Sequence, residues 1–234
     1  MPRFWEVDFA RGAAVASMLA FNWLYALAYF GIASFDPALP ANQLWAFATV
    51  AAFVFLAGLS THLASTQGKR LAARGAKIFA CGLLVTATTF YFIPEAFVVF
   101  GVLHLIGASI ILAGAFALRL PPVALVVLGC VIIALAVPLA TIQPETQLFL
   151  WLGVAPAGFS SVDYEPLFPW FGVFLFGVAA GKIFYRGGRR AFALFEKPFY
   201  AGALCLAGRH SLAIYLAHQP LLVAALCALG AARL

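Results

Sequence analysis

The sequence predicts an all-α polytopic membrane protein of about seven transmembrane helices, and three observations carry that prediction. The 234 residues are 65% hydrophobic and only 9% charged, against about half and about a quarter in soluble domains. The apolar residues fall in continuous runs, whereas a membrane β-barrel shows alternation. The 14 Lys and Arg and 8 Asp and Glu are segregated, with the basic ones gathered in alternate connections. A chain this apolar cannot stay solvated as a disordered one. Its four cysteines, Cys81, Cys130, Cys205 and Cys227, sit singly in apolar stretches and read as small hydrophobes rather than a disulfide framework.

A span needs about 20 mainly apolar residues. Stretches 10–33, 43–64, 77–93, 97–117, 121–142, 167–185 and 209–231 qualify. They are separated by breakers at Asp36-Pro37, Gly68, Pro94, Pro121-Pro122, Pro144 and Gly187-Gly188. Nothing repeats at a fixed period and no linker divides the chain, so residues 1–234 read as one membrane domain. Residues 143–166 read as an interfacial or re-entrant segment, and 189–208 as a basic, aromatic helix lying in the membrane surface. With seven spans, thirteen of the fourteen basic residues share one face, and Arg233 stands with Asp36, Glu95, Glu145, Asp163 and Glu165 on the other. The positive-inside rule then places the N-terminus in the cytoplasm and the C-terminus outside, in a multi-pass inner-membrane protein. The net charge of +6 therefore reports topology, and no nucleic-acid partner is expected.

Polar side chains inside spans are functional candidates by default, because each must be paired or hydrated. In the first span Asp8, Arg11, Met18, Asn22, Tyr25 and Tyr29 recur at three- and four-residue steps, with Val15 filling the gap. That stripe must face protein or water. Asp8 and Arg11, one turn apart, form a candidate ion pair. Asn22 lies about 16 Å deeper than Arg11. His104 in the fourth span and His218 in the seventh lie at similar depth. A neutral imidazole there suits a general base, and a satisfied structural histidine is the alternative for each. At the outer start of the sixth span, Asp163, Glu165 and Trp170 suit a polar substrate such as an amine or sugar, or an interface anchor. No metal signature such as HExxH is present, and no metal is expected.

Taken together, four motifs resemble those of the bacterial and archaeal relatives of heparan-α-glucosaminide N-acetyltransferase, in the transmembrane acyltransferase superfamily. They are Arg3-Phe4-Trp5-Glu6-Val7-Asp8-Phe9-Ala10-Arg11-Gly12, Phe100-Gly101-Val102-Leu103-His104, the run Asp163 to Gly172, and Gly208-Arg209-His210-Ser211-Leu212 with Tyr215-Leu216-Ala217-His218-Gln219-Pro220. The resemblance runs nearly end to end. It implies acetyl transfer from cytoplasmic acetyl-CoA to an amine or hydroxyl of a sugar-like acceptor reached from the other side, and it favours a homodimer. Many small relatives carry His and Asp where this chain has Asn22 and Ala26. The heparan enzyme is similar to this chain in having Asn at the first position, with its catalytic His in the loop after the first span. Here that loop, Ser34 to Pro40, has no histidine. His104 is then the first candidate base and His218 the second.

On that reading the acyl-CoA phosphates meet Lys69, Arg70, Arg74 and Lys77, with Arg11 or Arg209. The pantetheine arm passes along the first-span stripe beside Tyr25. Asn22 donates to the developing oxyanion, His104 takes the acceptor's proton, and Asp163, Glu165 and Trp170 hold the acceptor. Two other classes fit the same residues. One is a small-solute or proton-coupled transporter lined by Asn22 and the histidines, and the other is a non-catalytic membrane scaffold.

Overall fold

The computed structural model describes residues 4–64 and 68–231, without the side chains of Gly68 and Lys69. Arg3, Arg233 and the Lys69 side chain therefore lie outside the described residues. The fold is all-α and polytopic, with helices α1 (Trp5–Tyr29), α2 (Pro40–Leu63), α3 (Gly68–Phe92), α4 (Val102–Ala115), α5 (Pro122–Ala140), α6 (Leu167–Phe184), α7 (Ala201–Arg209) and α8 (Ser211–Ala228). Six of them, all but α4 and α7, are long and apolar enough to cross a membrane. By contacts the chain forms two compact units, residues 54–193 and residues 4–53 with 194–231.

In the unit of residues 54–193, glycines let helix backbones touch, as expected where lipid supplies no hydrophobic drive for association. A Cβ on Gly107 of α4 would sit 2.6 Å from the Phe79 amide nitrogen of α3. Gly129 of α5 and Gly172 of α6 face each other in the same way. A Cβ on Gly177 of α6 would collide with the Phe55 carbonyl of α2. The pairs Gly75–Gly107 and Gly82–His104 show α3 and α4 running antiparallel. The neighbours Gly58–Phe174 and His62–Gly181 show α2 and α6 running parallel.

Charges in this unit are sorted by end. At one end the Lys182 ammonium donates to the carbonyls of Leu118 and Leu120 at 2.7 and 2.6 Å. Those acceptors close a 3₁₀ turn, Ala117–Arg119, just before Pro121-Pro122. Leu71 at the start of α3 packs near Gly114 at the same end. The opposite end is acidic and is tied together by the segment 161–165. Val162 donates to the Ala96 carbonyl and Glu165 to the Phe100 carbonyl, both at 2.9 Å. The Ser161 hydroxyl reaches the Phe97 carbonyl at 2.9 Å.

This strap explains why helix occupies only 14 residues of the stretch 97–117, where a full span was expected. The backbone of 96–101 spends its polar groups on residues 161–165 and on Thr89, whose hydroxyl accepts from the Val98 amide at 3.0 Å. Irregular backbone is tolerated at membrane depth when protein satisfies it in this way. A second difference lies at 189–208. Helix begins there only at Ala201, after Pro198. Tyr185–Arg186 and Arg189–Arg190 instead form a two-residue antiparallel ladder. Gly187 and Gly188 close it with φ of +57° and +73°, a backbone region that other residues rarely adopt. The segment 143–166 contains a short 3₁₀ helix, Gln147–Leu152. The Tyr164 hydroxyl anchors it by donating to the Leu150 carbonyl at 2.7 Å.

In the other unit, α1 is held on two sides. A Cβ on Gly12 would collide with the Leu204 carbonyl of α7, and one on Gly208 with the Asp8 carbonyl. Toward α2 the Trp45 indole donates to the Ser17 hydroxyl at 2.8 Å. Ser17 donates in turn to the Thr49 hydroxyl at 2.7 Å, and Thr49 to the Trp45 carbonyl at 2.9 Å. Every member of this ring has a partner, so it fixes α1 on α2 without leaving a buried orphan.

Two substitutions separate close packing from simple helix propensity. Gly177→Val is expected to cost about 1–3 kcal/mol or more by overpacking against the α2 backbone. Gly202→Ala, where nothing lies within 4 Å of the new Cβ, is expected to be neutral or stabilising by up to about 1 kcal/mol. Thermal unfolding in one detergent or nanodisc checks both.

Candidate functional site

The sequence-predicted residues fall into two constellations, one in each unit. In the unit of residues 4–53 and 194–231, the start of α1 carries Asp8, which is 9% exposed. Its position in the first turn suits the helix dipole. One carboxylate oxygen accepts from Arg209 Nε at 3.0 Å and the other from Arg11 at 3.5 Å. Arg11 also donates to the Gly208 carbonyl at 3.3 Å. The expected Asp8–Arg11 pair is therefore present, and Arg209, expected on the cofactor, shares the same carboxylate.

Farther along α1, Asn22 meets His218 of α8, with Nδ2 3.4 Å from Nε2. Arg209, just before α8, meets Asp8, and His218 within α8 meets Asn22, so α1 and α8 run in the same direction. His218 is 8% exposed, and its Nδ1 lies 2.7 Å from the Tyr215 carbonyl. A carbonyl only accepts, so Nδ1 carries the proton and Nε2 holds a lone pair. The Asn22 amide donates toward that lone pair. Beyond Asn22, Tyr25 and Tyr29 of the same stripe line a recess of about 220 Å³ with Ala28, Phe35 and Pro37.

In the unit of residues 54–193, His104 has the opposite ring chemistry. Its Nδ1 accepts from the Gly101 amide at 3.2 Å, capping the start of α4. The proton therefore sits on Nε2, which lies 3.4 Å from the Thr86 hydroxyl and donates to it. The ring is 2% exposed, stacked on Phe100 and edge-on to Phe79. Both nitrogens are thus engaged in holding the start of α4. Asp163 completes that cap, its Oδ2 accepting from the Val102 amide at 3.3 Å. Gly101 makes room for it, since a Cβ there would run into the Asp163 carboxylate.

Asp163, Glu165 and Trp170 do come together, chiefly on one another. Trp170 is 6% exposed and its side chain hydrogen-bonds Glu165. Desolvation, with the neighbouring Asp163 charge adding to it, pushes the Glu165 carboxyl up to about 8, against the opposing effect of the Trp170 bond. Burial likewise raises the Tyr164 phenol to about 12. Arg70, Arg74 and Lys77, at four- and three-residue steps, lie exposed on one face near the start of α3. None of the three makes an ion pair among the described residues. Cations near a helix N-terminus oppose its dipole, so this face is not explained by helix stability. Among the described residues no group of three or more His, Cys, Asp or Glu is placed to hold a metal.

Sequence reasoning missed three features. The Ser17–Thr49–Trp45 ring joins residues far apart in the chain and is visible only as isolated polar groups in two spans. Thr86 gains meaning only from its position opposite His104. The recess depends on how the loop after α1 turns, which Phe35 and Pro37 do not signal by themselves.

The family model described as Heparan-alpha-glucosaminide N-acetyltransferase, catalytic, matches residues 3–220. The chain belongs to that family. No curated protein and no solved structure matches it. Both constellations of this heparan-alpha-glucosaminide N-acetyltransferase family member lie within the matched residues, from Asp8 to His218.

The raised Glu165 carboxyl predicts a pH dependence. The folded state holds this proton more tightly than the unfolded one, so its contribution favours folding most below about 4.5 and declines as pH rises toward about 8. Glu165→Gln is expected to flatten that decline in thermal unfolding across the window. An identical slope in wild type and variant would assign the pH dependence to other groups.

Proposed function

We propose that this chain transfers an acetyl group from cytoplasmic acetyl-CoA to an amine or hydroxyl acceptor reached from the opposite side of the membrane, with His218 as the base and Asn22 beside it. The observation that carries the assignment is the 2.7 Å contact of His218 Nδ1 with the Tyr215 carbonyl. With Nδ1–H tied to the Tyr215 carbonyl, Nε2 carries the lone pair, which Asn22 Nδ2 approaches only at 3.4 Å and which can take the acceptor's proton as Asn22 turns to the developing oxyanion. Asn22 has two amide hydrogens. One is directed toward Nε2, and the other is left to donate to the oxygen on which negative charge develops. His104 is a positioning residue on this reading, because both of its nitrogens hold the start of α4.

The donor set fits a polyanionic cosubstrate. Arg70, Arg74 and Lys77 present three cations on one exposed face, suited to the phosphates of acyl-CoA, with Lys69 next to them in the chain. Acetyl-CoA supplies the acetyl group as a thioester. Arg11 and Arg209 are engaged with Asp8 and shape the start of α1 instead.

Helix directions support seven crossings with both ends placed as the charges suggest. Parallel α2 and α6 need an odd number of crossings between them, which α3, α4 and α5 supply. That reading has α4 cross despite its length. The basic end of residues 54–193 then faces the cytoplasm of an inner-membrane protein.

Acetyl transfer followed by thiol release tests the assignment. His218→Ala is expected to lower the rate about 10²–10⁴-fold, and His104→Ala chiefly to lower the unfolding temperature. A folded His104→Ala protein without activity, beside an active His218→Ala protein, would reverse the two roles. Charge reversal at Arg74 and Lys77 together is expected to raise the KM for acetyl-CoA while leaving kcat within a few-fold. An unchanged KM would remove this face from cosubstrate binding.

A further inference from the structure

We propose that the hairpin after α6, residues 185–190, binds the phosphodiester of an anionic phospholipid between Arg186 and Arg189 at the basic membrane surface. Such a site needs only the membrane embedding of residues 54–193 and no step of the transfer chemistry.

The turn decides which side chains meet. Gly187 and Gly188, both at positive φ, close a two-residue loop of the kind that antiparallel strands favour. The register sets Arg186 directly opposite Arg189 and Tyr185 opposite Arg190. The Ala191 amide extends the ladder by donating to the Phe184 carbonyl at 2.8 Å. Direct cross-strand partners share a face, with Cβ atoms about 5 Å apart, and like charges so placed repel. Arg186 and Arg189 are exposed, and neither has a hydrogen bond or ion pair among the described residues. The carboxylates of this unit, Glu95, Glu145, Asp163 and Glu165, belong to its opposite, acidic end. The repulsion between the two arginines is therefore left for an outside anion to relieve.

Depth identifies that anion. The 18 residues of α6 rise about 27 Å, close to the hydrocarbon thickness of a bilayer. Residues directly after the helix then stand at the level of lipid phosphates. Phe184 and Phe192, 48% and 38% exposed, pack edge-on with centroids 6.2 Å apart, and exposed aromatics suit that interface. Tyr185 is buried, and His62 of α2 hydrogen-bonds its backbone, so the hairpin has a fixed mount. A Cβ on Gly187 would meet nothing within 4 Å, which leaves room for a headgroup. Each guanidinium presents a planar fork of donors to phosphate oxygens, and two forks on one phosphate replace repulsion by attraction. Arginines at this end also serve the positive-inside bias as solvated charges, a role that needs neither a partner nor a fixed spacing.

Native mass spectrometry of the full chain, equilibrated with equimolar phosphatidylglycerol and phosphatidylcholine in mixed micelles, tests the proposal. Wild type is expected to retain phosphatidylglycerol at least about tenfold over phosphatidylcholine. Arg186→Gln combined with Arg189→Gln should lose most of that preference. Arg70→Gln combined with Arg74→Gln, which removes the same charge from the same end, should keep it. Thermal unfolding in nanodiscs gives a second readout. Phosphatidylglycerol should stabilise wild type more than the hairpin variant, which in pure phosphatidylcholine should be at least as stable as wild type. No preference in wild type, an undiminished preference in the hairpin variant, or an equal loss in both variants would overturn the site. Displacement of the lipid from wild type by millimolar acetyl-CoA would overturn the lipid as occupant and assign the hairpin to the cosubstrate's phosphates.

Discussion

One carboxylate sets the register on which the proposed chemistry depends. Asp8 accepts from Arg209, at the junction of α7 and α8, and from Arg11 on its own helix. A charge this enclosed is costly unless paired. Displacing α8 along α1 would strand it, at a cost of about 1–2 kcal/mol, moderated because the Arg209 side chain is 39% exposed. Glycine contacts at Gly12 and Gly208 bring α7 close enough for the pairing. With α8 anchored at its start, His218 meets Asn22 rather than a neighbouring turn. The ring of Ser17, Thr49 and Trp45 fixes α1 from its other side.

The two histidines show how the backbone group that each ring meets favours opposite tautomers of one residue type. Both lie in apolar helices, and both have one nitrogen fixed by backbone. At His104 the backbone partner is an amide N–H, which consumes the lone pair. At His218 it is a carbonyl, which takes the Nδ1 proton and leaves the Nε2 lone pair facing Asn22. The first arrangement supports a helix start, and the second suits the proton transfer proposed for His218. Asp163 follows the same logic as His104, since its carboxylate caps the α4 start.

Much of this was legible in the sequence, for physical reasons. Continuous apolar runs report spans because the bilayer demands internally satisfied backbone. The Asn22 stripe and the Asp8–Arg11 pair follow from helix periodicity alone. The short α4 was not legible, because residues 97–101 are as apolar as a helix. Their hydrogen bonds go to a strap sixty residues later. Nor was the difference between the His104 and His218 rings, since it depends on which backbone group each one meets. The partial helix after Pro198 shows the limit of composition, which recognised an interfacial segment but not where helix begins.

The proposed chemistry turns on the His218 ring, and nitrogen-15 NMR of histidine-labelled protein in nanodiscs tests it most directly. Signals are assigned by substituting each of the four histidines in turn. The expected result is a neutral His218 with Nδ1 protonated and Nε2 unprotonated, and an Nε2 signal that moves in Asn22→Ala. A His218 protonated at Nε2, or one indifferent to Asn22, would contradict it.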